Sequence, residues 1–101
     1  MNTTFAMLAD PGRRHIIDTL REGERAAGDI AALLPISQPG VSKHLRLLRE
    51  AGLVRVRQDA QRRLYSLNPE PFADLDAWLE PYRTFWSGKL DALERHLNQE
   101  Q

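Results

Sequence analysis

Residues 35–67 read PISQPGVSKHLRLLREAGLVRVRQDAQRRLYSL, and this stretch decides the fold. Val41, Leu45 and Leu48 recur at i, i+4 and i+7, the spacing of one apolar face of an α-helix. The opposite arc carries Gln38, Pro39, Ser42, Lys43 and Arg46. Ser37 is placed to cap the start of this helix and Gly52 to end it, which predicts a helix over 37–51. Two strand-like runs follow, 53–57 and 62–67, around a turn at 58–61. In the first run Val54 and Val56 fall on one face and Arg55 and Arg57 on the other. The pattern is a helix with a polar, basic face followed by a basic β-hairpin.

Charge is concentrated in the same place. The chain of 101 residues is neutral overall, yet 35–67 holds seven Lys/Arg against two acids. Residues 1–67 carry 11 Lys/Arg and 7 Asp/Glu, a net +4, whereas 68–101 carry 3 and 7, a net −4. A cationic segment of this kind fits a nucleic-acid backbone. Exposed charge is ordinary on any amphipathic helix, and a basic hairpin also protects a sheet edge from pairing with other chains. The order of helix, short turn, helix and basic hairpin favours double-stranded DNA over both of those readings.

Working outward, Phe5 and Leu8 turn inward from a short first helix that Thr3 or Thr4 can cap. Asp10-Pro11 supplies an N-cap and a first-position proline for a second helix with Ile16, Ile17 and Leu20 inward, stopping at Gly23. A third helix is predicted over 28–34, with Ile30, Leu33 and Leu34 inward, and Pro35 ends it. Only three residues, 35–37, then separate it from the next helix, which is helix-turn-helix spacing. Asn68-Pro69 closes the hairpin and opens a long final helix, about 69–98, in which Pro81 is expected to produce a kink or a division. The predicted fold class is therefore mainly α with a β-hairpin wing: four helices, two strands and a fifth helix. It forms a single winged helix-turn-helix DNA-binding domain over 1–101.

Several function classes drop out. There is no cysteine, so disulfides, thiolate metal sites and cysteine nucleophiles are absent. No window of 18 apolar residues and no secretory signal is visible, so no membrane partner is expected and a cytoplasmic location fits. No nucleophile–base pair or glycine-rich phosphate loop is present, and Ser42 and His44 point about 200° apart on one helix. An enzyme is not expected, and neither is a cofactor.

The N-terminal residues of a groove-entering helix are those that reach base edges. The candidate DNA-binding residues are therefore Ser37, Gln38, Ser42, Lys43, His44 and Arg46 on the helix, with Arg57, Gln61, Arg62 and Arg63 on the wing. Gln pairs with adenine, Lys with guanine, and Ser with either. Arg46 lies further along and suits phosphate. His44 sits beside the apolar stripe and suits a groove contact and a half-buried position equally.

The final helix carries Trp78, Leu79, Tyr82, Phe85, Trp86, Leu90 and Leu93 at steps of three and four. A chain this small has difficulty covering so much apolar surface alone, and a two-fold interface buries the stripe on both copies. Homodimer core is favoured over an aromatic ligand pocket between subunits.

ADPGRRHIIDTL at 9–20, SQPGVSKHLRLLREAGLV at 37–54, RRLYSLN at 62–68 and WLEPYRTFW at 78–86 resemble the ArsR/SmtB winged helix-turn-helix repressors. The closer likeness is to the branch without cysteine sensors, typified by autorepressors of small operons. The resemblance covers nearly the whole chain. It implies a homodimer that binds an imperfect palindromic operator and represses transcription. The first and last helices would build the interface, which brings in Phe5 and Leu8, and Gln38, Ser42 and Lys43 would face the groove. Pro39 departs from the small polar residue of many relatives. The Cys-x-Cys sensor of other members has no counterpart at 25–34. On the last helix Asp91, Glu94 and His96 do not repeat the Asp/His metal pairs, so no metal is expected, and the sequence names no effector ligand. The competing reading is a winged-helix protein–protein interaction module without DNA binding. The retained positive charge argues against it.

Overall fold

The computed structural model describes residues 1–99. In chain order the elements are α1 (Asn2–Leu8), α2 (Pro11–Leu20), β1 (Arg25–Ala26), α3 (Ala27–Leu33), α4 (Gln38–Glu50), β2 (Val54–Asp59), β3 (Arg62–Leu67) and α5 (Pro69–Gln99). The three strands form one antiparallel sheet in the order β1-β3-β2. The fold class is the expected one, a helical body with a β-hairpin wing.

The body is held by Ile16, Ile17 and Leu20 of α2, Ile30 of α3, Val41, Leu45 and Leu48 of α4, and Leu53 and Val54 at the wing root, all buried. Burial of such side chains contributes about 1.5–3 kcal/mol each, which makes this the main force fixing α4 against α2 and α3. Helix ends follow from local chemistry. The Asp10 carboxylate accepts the Arg13 amide at 3.0 Å, and Pro11 starts α2. Ser37 Oγ accepts the Gly40 amide at 3.2 Å. At the other end of α4 the Gly52 amide donates to the Arg49 carbonyl at 3.0 Å and the Leu53 amide to the Leu48 carbonyl at 2.9 Å. This is a Schellman closure, with Gly52 at φ 83° and the buried Leu48 and Leu53 as its apolar pair. Leu53 therefore ends the helix and does not begin the strand. Asn68 fastens the far end of the wing to the same point, donating from Nδ2 to the Gly52 carbonyl at 2.8 Å and from its amide to the Leu53 carbonyl at 2.9 Å.

Other expectations need correction. The first helix starts at Asn2 with neither threonine as its cap, and Thr4 is buried. Leu33 was expected inward but is 56% exposed. The helix stops there, Leu34 is extended, and Leu33 is left on the rim of a cavity of about 330 Å³ between α2 and α3. The hairpin turn is two residues and not four. Gln58 and Asp59 pair with Arg63 and Arg62, and Ala60 takes φ 56° in the tight turn. Pro81 does not divide α5. Arg83 braces the helix across it, bonding Asp76 Oδ1 at 2.8 Å, the Asp76 carbonyl at 3.1 Å and Glu80 Oε2 at 2.5 Å.

Candidate nucleic-acid interface

The buried stripe Val41, Leu45 and Leu48 fixes the rotation of α4, so Gln38, Ser42, Lys43 and Arg46 all lie on its exposed side, with Arg49 one turn further on. Ser37 is exposed at the N-cap, where its hydroxyl oxygen already serves the Gly40 amide. Gly40 is closely packed: a Cβ there would lie 3.0 Å from Ile36 Cγ2 and 3.2 Å from Ser37 Oγ, so both side chains would have to shift. The turn into α4 is thus set by the Ser37 cap, the first-turn proline and the close packing of Gly40.

His44 is placed inward. It is half-buried, its Nε2 lies 3.8 Å from Asp10 Oδ2, and its Nδ1 is buried with no hydrogen-bond partner among the described residues. The backbone bond from Arg13, and then the charges of Arg13 and His44, hold the Asp10 carboxyl below the usual carboxylate range. His44 thus joins α4 to the start of α2.

On the wing, Arg57, Gln61, Arg62 and Arg63 are all exposed. Two of these cations are engaged. Arg57 meets Glu24 in a two-pronged pair, Nε to Oε2 at 2.9 Å and Nη2 to Oε1. Arg62 Nη2 donates to Asp29 Oδ2 at 2.6 Å. Arg63 sits over the Tyr65 ring at 6.0 Å. Glu24 and Asp29 did not emerge from the sequence. Each lies 33 residues from its partner, and they meet only once β1 has paired with β3 and β3 with β2.

Among the described residues most of the apolar stripe of α5 is left uncovered. Trp78, Tyr82, Phe85, Trp86, Leu90 and Leu93 are exposed, Trp86 and Leu90 at 60% and 61%, while Leu79 and Leu8 are half-buried. Phe5 of α1, itself exposed, meets Trp78 edge-on at 5.5 Å between ring centroids, and Trp78 meets Tyr82 at 5.0 Å. The two terminal helices thus share one aromatic face.

Among the described residues no helix is long and apolar enough to cross a membrane, and no group of three or more His, Cys, Asp or Glu is placed to hold a metal.

The profile described as "Bacterial regulatory protein, arsR family" matches residues 10–56, the segment from the α2 cap to mid-β2. The transcriptional repressor SdpR of Bacillus subtilis is 39% identical over 79 residues, covering 78% of this chain and 88% of that protein. The chain belongs to the ArsR family. A second relative, the HTH-type transcriptional regulator Rv2034 of Mycobacterium tuberculosis, is 39% identical over 93 residues, covering 92% of this chain and 84% of its own. The ArsR-like transcriptional regulator from Rhodococcus sp. RHA1 superposes with a TM-score of 0.74 at 26% identity, covering 97% of this chain and 90% of that one. This ArsR-family protein is a DNA-binding transcriptional regulator, not an enzyme, and it lacks the cysteines of thiol-sensing members.

Proposed function

We propose that the protein is a homodimeric repressor acting in the cytoplasm on a palindromic operator. The observation that carries this reading is the exposed arc of α4. Gln38, Ser42 and Lys43 stand at the free N-terminal end of a helix whose other side is locked into the core. Side chains in that position reach base edges when the helix enters the major groove. Arg46, Arg49 and the wing arginines supply phosphate contacts that set register. The shared aromatic face of α1 and α5 is the surface a second copy covers, through Phe5, Leu8, Trp78, Leu79, Tyr82, Phe85, Trp86, Leu90 and Leu93. A two-fold axis there gives two recognition helices and hence a palindromic site. SdpR, named a transcriptional repressor, supports the same direction of control.

The test is a gel shift on a duplex selected from a random pool by the protein, beside a random-sequence duplex, at several salt concentrations. Preference for the selected duplex, with affinity falling steeply with salt, is expected. Failure to bind either duplex at low salt overturns the reading in favour of a protein–protein module.

A further inference from the structure

The seven cations of residues 35–67 fall into two groups. Lys43, Arg46, Arg49 and Arg55 have no carboxylate partner among the described residues, and Arg63 is over a tyrosine ring. Arg57 and Arg62 are each held by an acid outside the wing. Glu24 precedes β1, and Asp29 lies in the first turn of α3, where its Oδ2 also accepts the Ala26 amide at 3.4 Å. Both pairs are open to solvent, with side chains 57% and 36% exposed in the first and 60% and 53% in the second.

The chemistry of these pairs is that of the contact a wing makes with DNA. A carboxylate offers a guanidinium two oxygens in one plane, as a phosphate does. While Glu24 and Asp29 occupy Arg57 and Arg62, two of the four wing arginines present little net charge to an approaching duplex. Exposed pairs of this kind are weak, so a backbone held in place can displace them. On a duplex where α4 finds no base contacts the wing is not held, and exchanging a carboxylate for a phosphate gains almost nothing. On a duplex where Gln38 and Lys43 are satisfied, the wing lies fixed against the backbone and the exchange proceeds.

We propose that Glu24 and Asp29 form an electrostatic brake on the wing. They keep Arg57 and Arg62 off non-specific DNA and release them at the operator, so that they determine specificity without touching a base. This rests on the reading of the wing as a DNA contact. The hydrogen bond from Arg57 keeps the Glu24 carboxyl below its ordinary range, so the brake stays charged at neutral pH.

The test is the slope of log affinity against log salt, measured with the full chain on the random-sequence and the selected duplex. Glu24→Gln frees Arg57, and one more neutralised phosphate steepens the slope on random DNA by about 0.9. Affinity for random DNA rises several-fold at low salt, and the ratio of selected to random affinity falls. The double variant Glu24→Gln/Arg57→Gln returns to the slope of Arg57→Gln alone. Glu22→Gln removes a neighbouring acid that pairs with Arg25 of β1 and with neither Arg57 nor Arg62, and leaves the slope unchanged. Asp29→Asn repeats the Glu24→Gln effect through Arg62, with circular dichroism and the thermal midpoint checking that the fold is kept.

Unchanged or weakened random binding in Glu24→Gln overturns the brake, as does an equal gain in Glu22→Gln. If Arg57→Gln leaves the slope on the selected duplex untouched, the wing reading itself is wrong. That result is distinct from one in which Arg57→Gln flattens the slope and Glu24→Gln does nothing.

Discussion

The imidazole of His44 lies against the capping carboxylate of Asp10, Nε2 to Oδ2 at 3.8 Å, and ties α4 to the start of α2. Gly12 leaves room for this approach: a Cβ at that position would lie 3.1 Å from the His44 nitrogen and 3.0 Å from the Asp10 oxygen and would push both aside. One carboxylate therefore serves both as the cap of α2 and as a neighbour of the helix that carries the reading residues.

Asp10 and Glu24 both titrate lower in the folded chain, Asp10 chiefly through the Arg13 amide and Glu24 through the Arg57 guanidinium. Their stabilising effect is complete above the ordinary carboxylate range. It is lost as pH falls through their lowered folded values, because the unfolded chain then binds more protons. At fixed protein concentration the urea midpoint is expected to be level above about pH 6 and to drop below about pH 5. Asp10→Asn keeps a good cap but removes the titration, so its acid limb is shallower. An acid limb identical to that of the parent would contradict the assignment.

Gly52 at φ 83° has nothing within 4 Å of where a Cβ would stand, so a substitution there tests backbone strain alone. Gly52→Ala is expected to cost about 1–2 kcal/mol, read as a lowered thermal midpoint. A neutral result would mean that the chain leaves α4 in another conformation.

The division of labour on α4 and the wing gives opposite signatures. Gln38→Ala and Lys43→Ala should each cost roughly 1–3 kcal/mol on the selected duplex and relax preference at one or two base positions. Arg46→Ala and Arg63→Ala should weaken all duplexes alike and flatten the salt slope. Competition gel shifts with single-base variants separate the two classes. Identical behaviour of both sets would remove the distinction between reading and anchoring residues.

Beyond Pro81 every described residue of α5 is exposed and none joins the core cluster. Leu90→Glu should therefore leave the body folded by circular dichroism and shift sedimentation from dimer to monomer. Binding to the selected duplex should fall with it, since half of the two-fold contact is lost. A dimer that survives this charge would place the interface elsewhere.

The features legible in the sequence were those with short-range causes. The 41/45/48 stripe, the caps at Asp10 and Ser37 and the stop at Gly52 each depend on residues within about one or two helical turns. β1 escaped notice because two residues carry no periodicity. The hairpin turn reads as longer than it is because its φ > 0 position is an alanine, which sends no turn signal. Leu33 was misplaced because a helix that ends at that residue has no further turn to cover it. At the candidate site the exposed arc of α4 was readable from its period. The pairs Arg57–Glu24, Arg62–Asp29 and His44–Asp10 were not, since each joins separate elements and exists only after the sheet and the helix packing have formed.

Two copies of α4 are expected to read one DNA site from the same face. Hydroxyl-radical footprinting on the selected duplex tests it most directly. Two protected half-sites related by a dyad are expected, their centres about 10 bp apart or a multiple of that spacing. A single protected patch without symmetry, or protection that Gln38→Ala and Lys43→Ala leave unchanged, would contradict it.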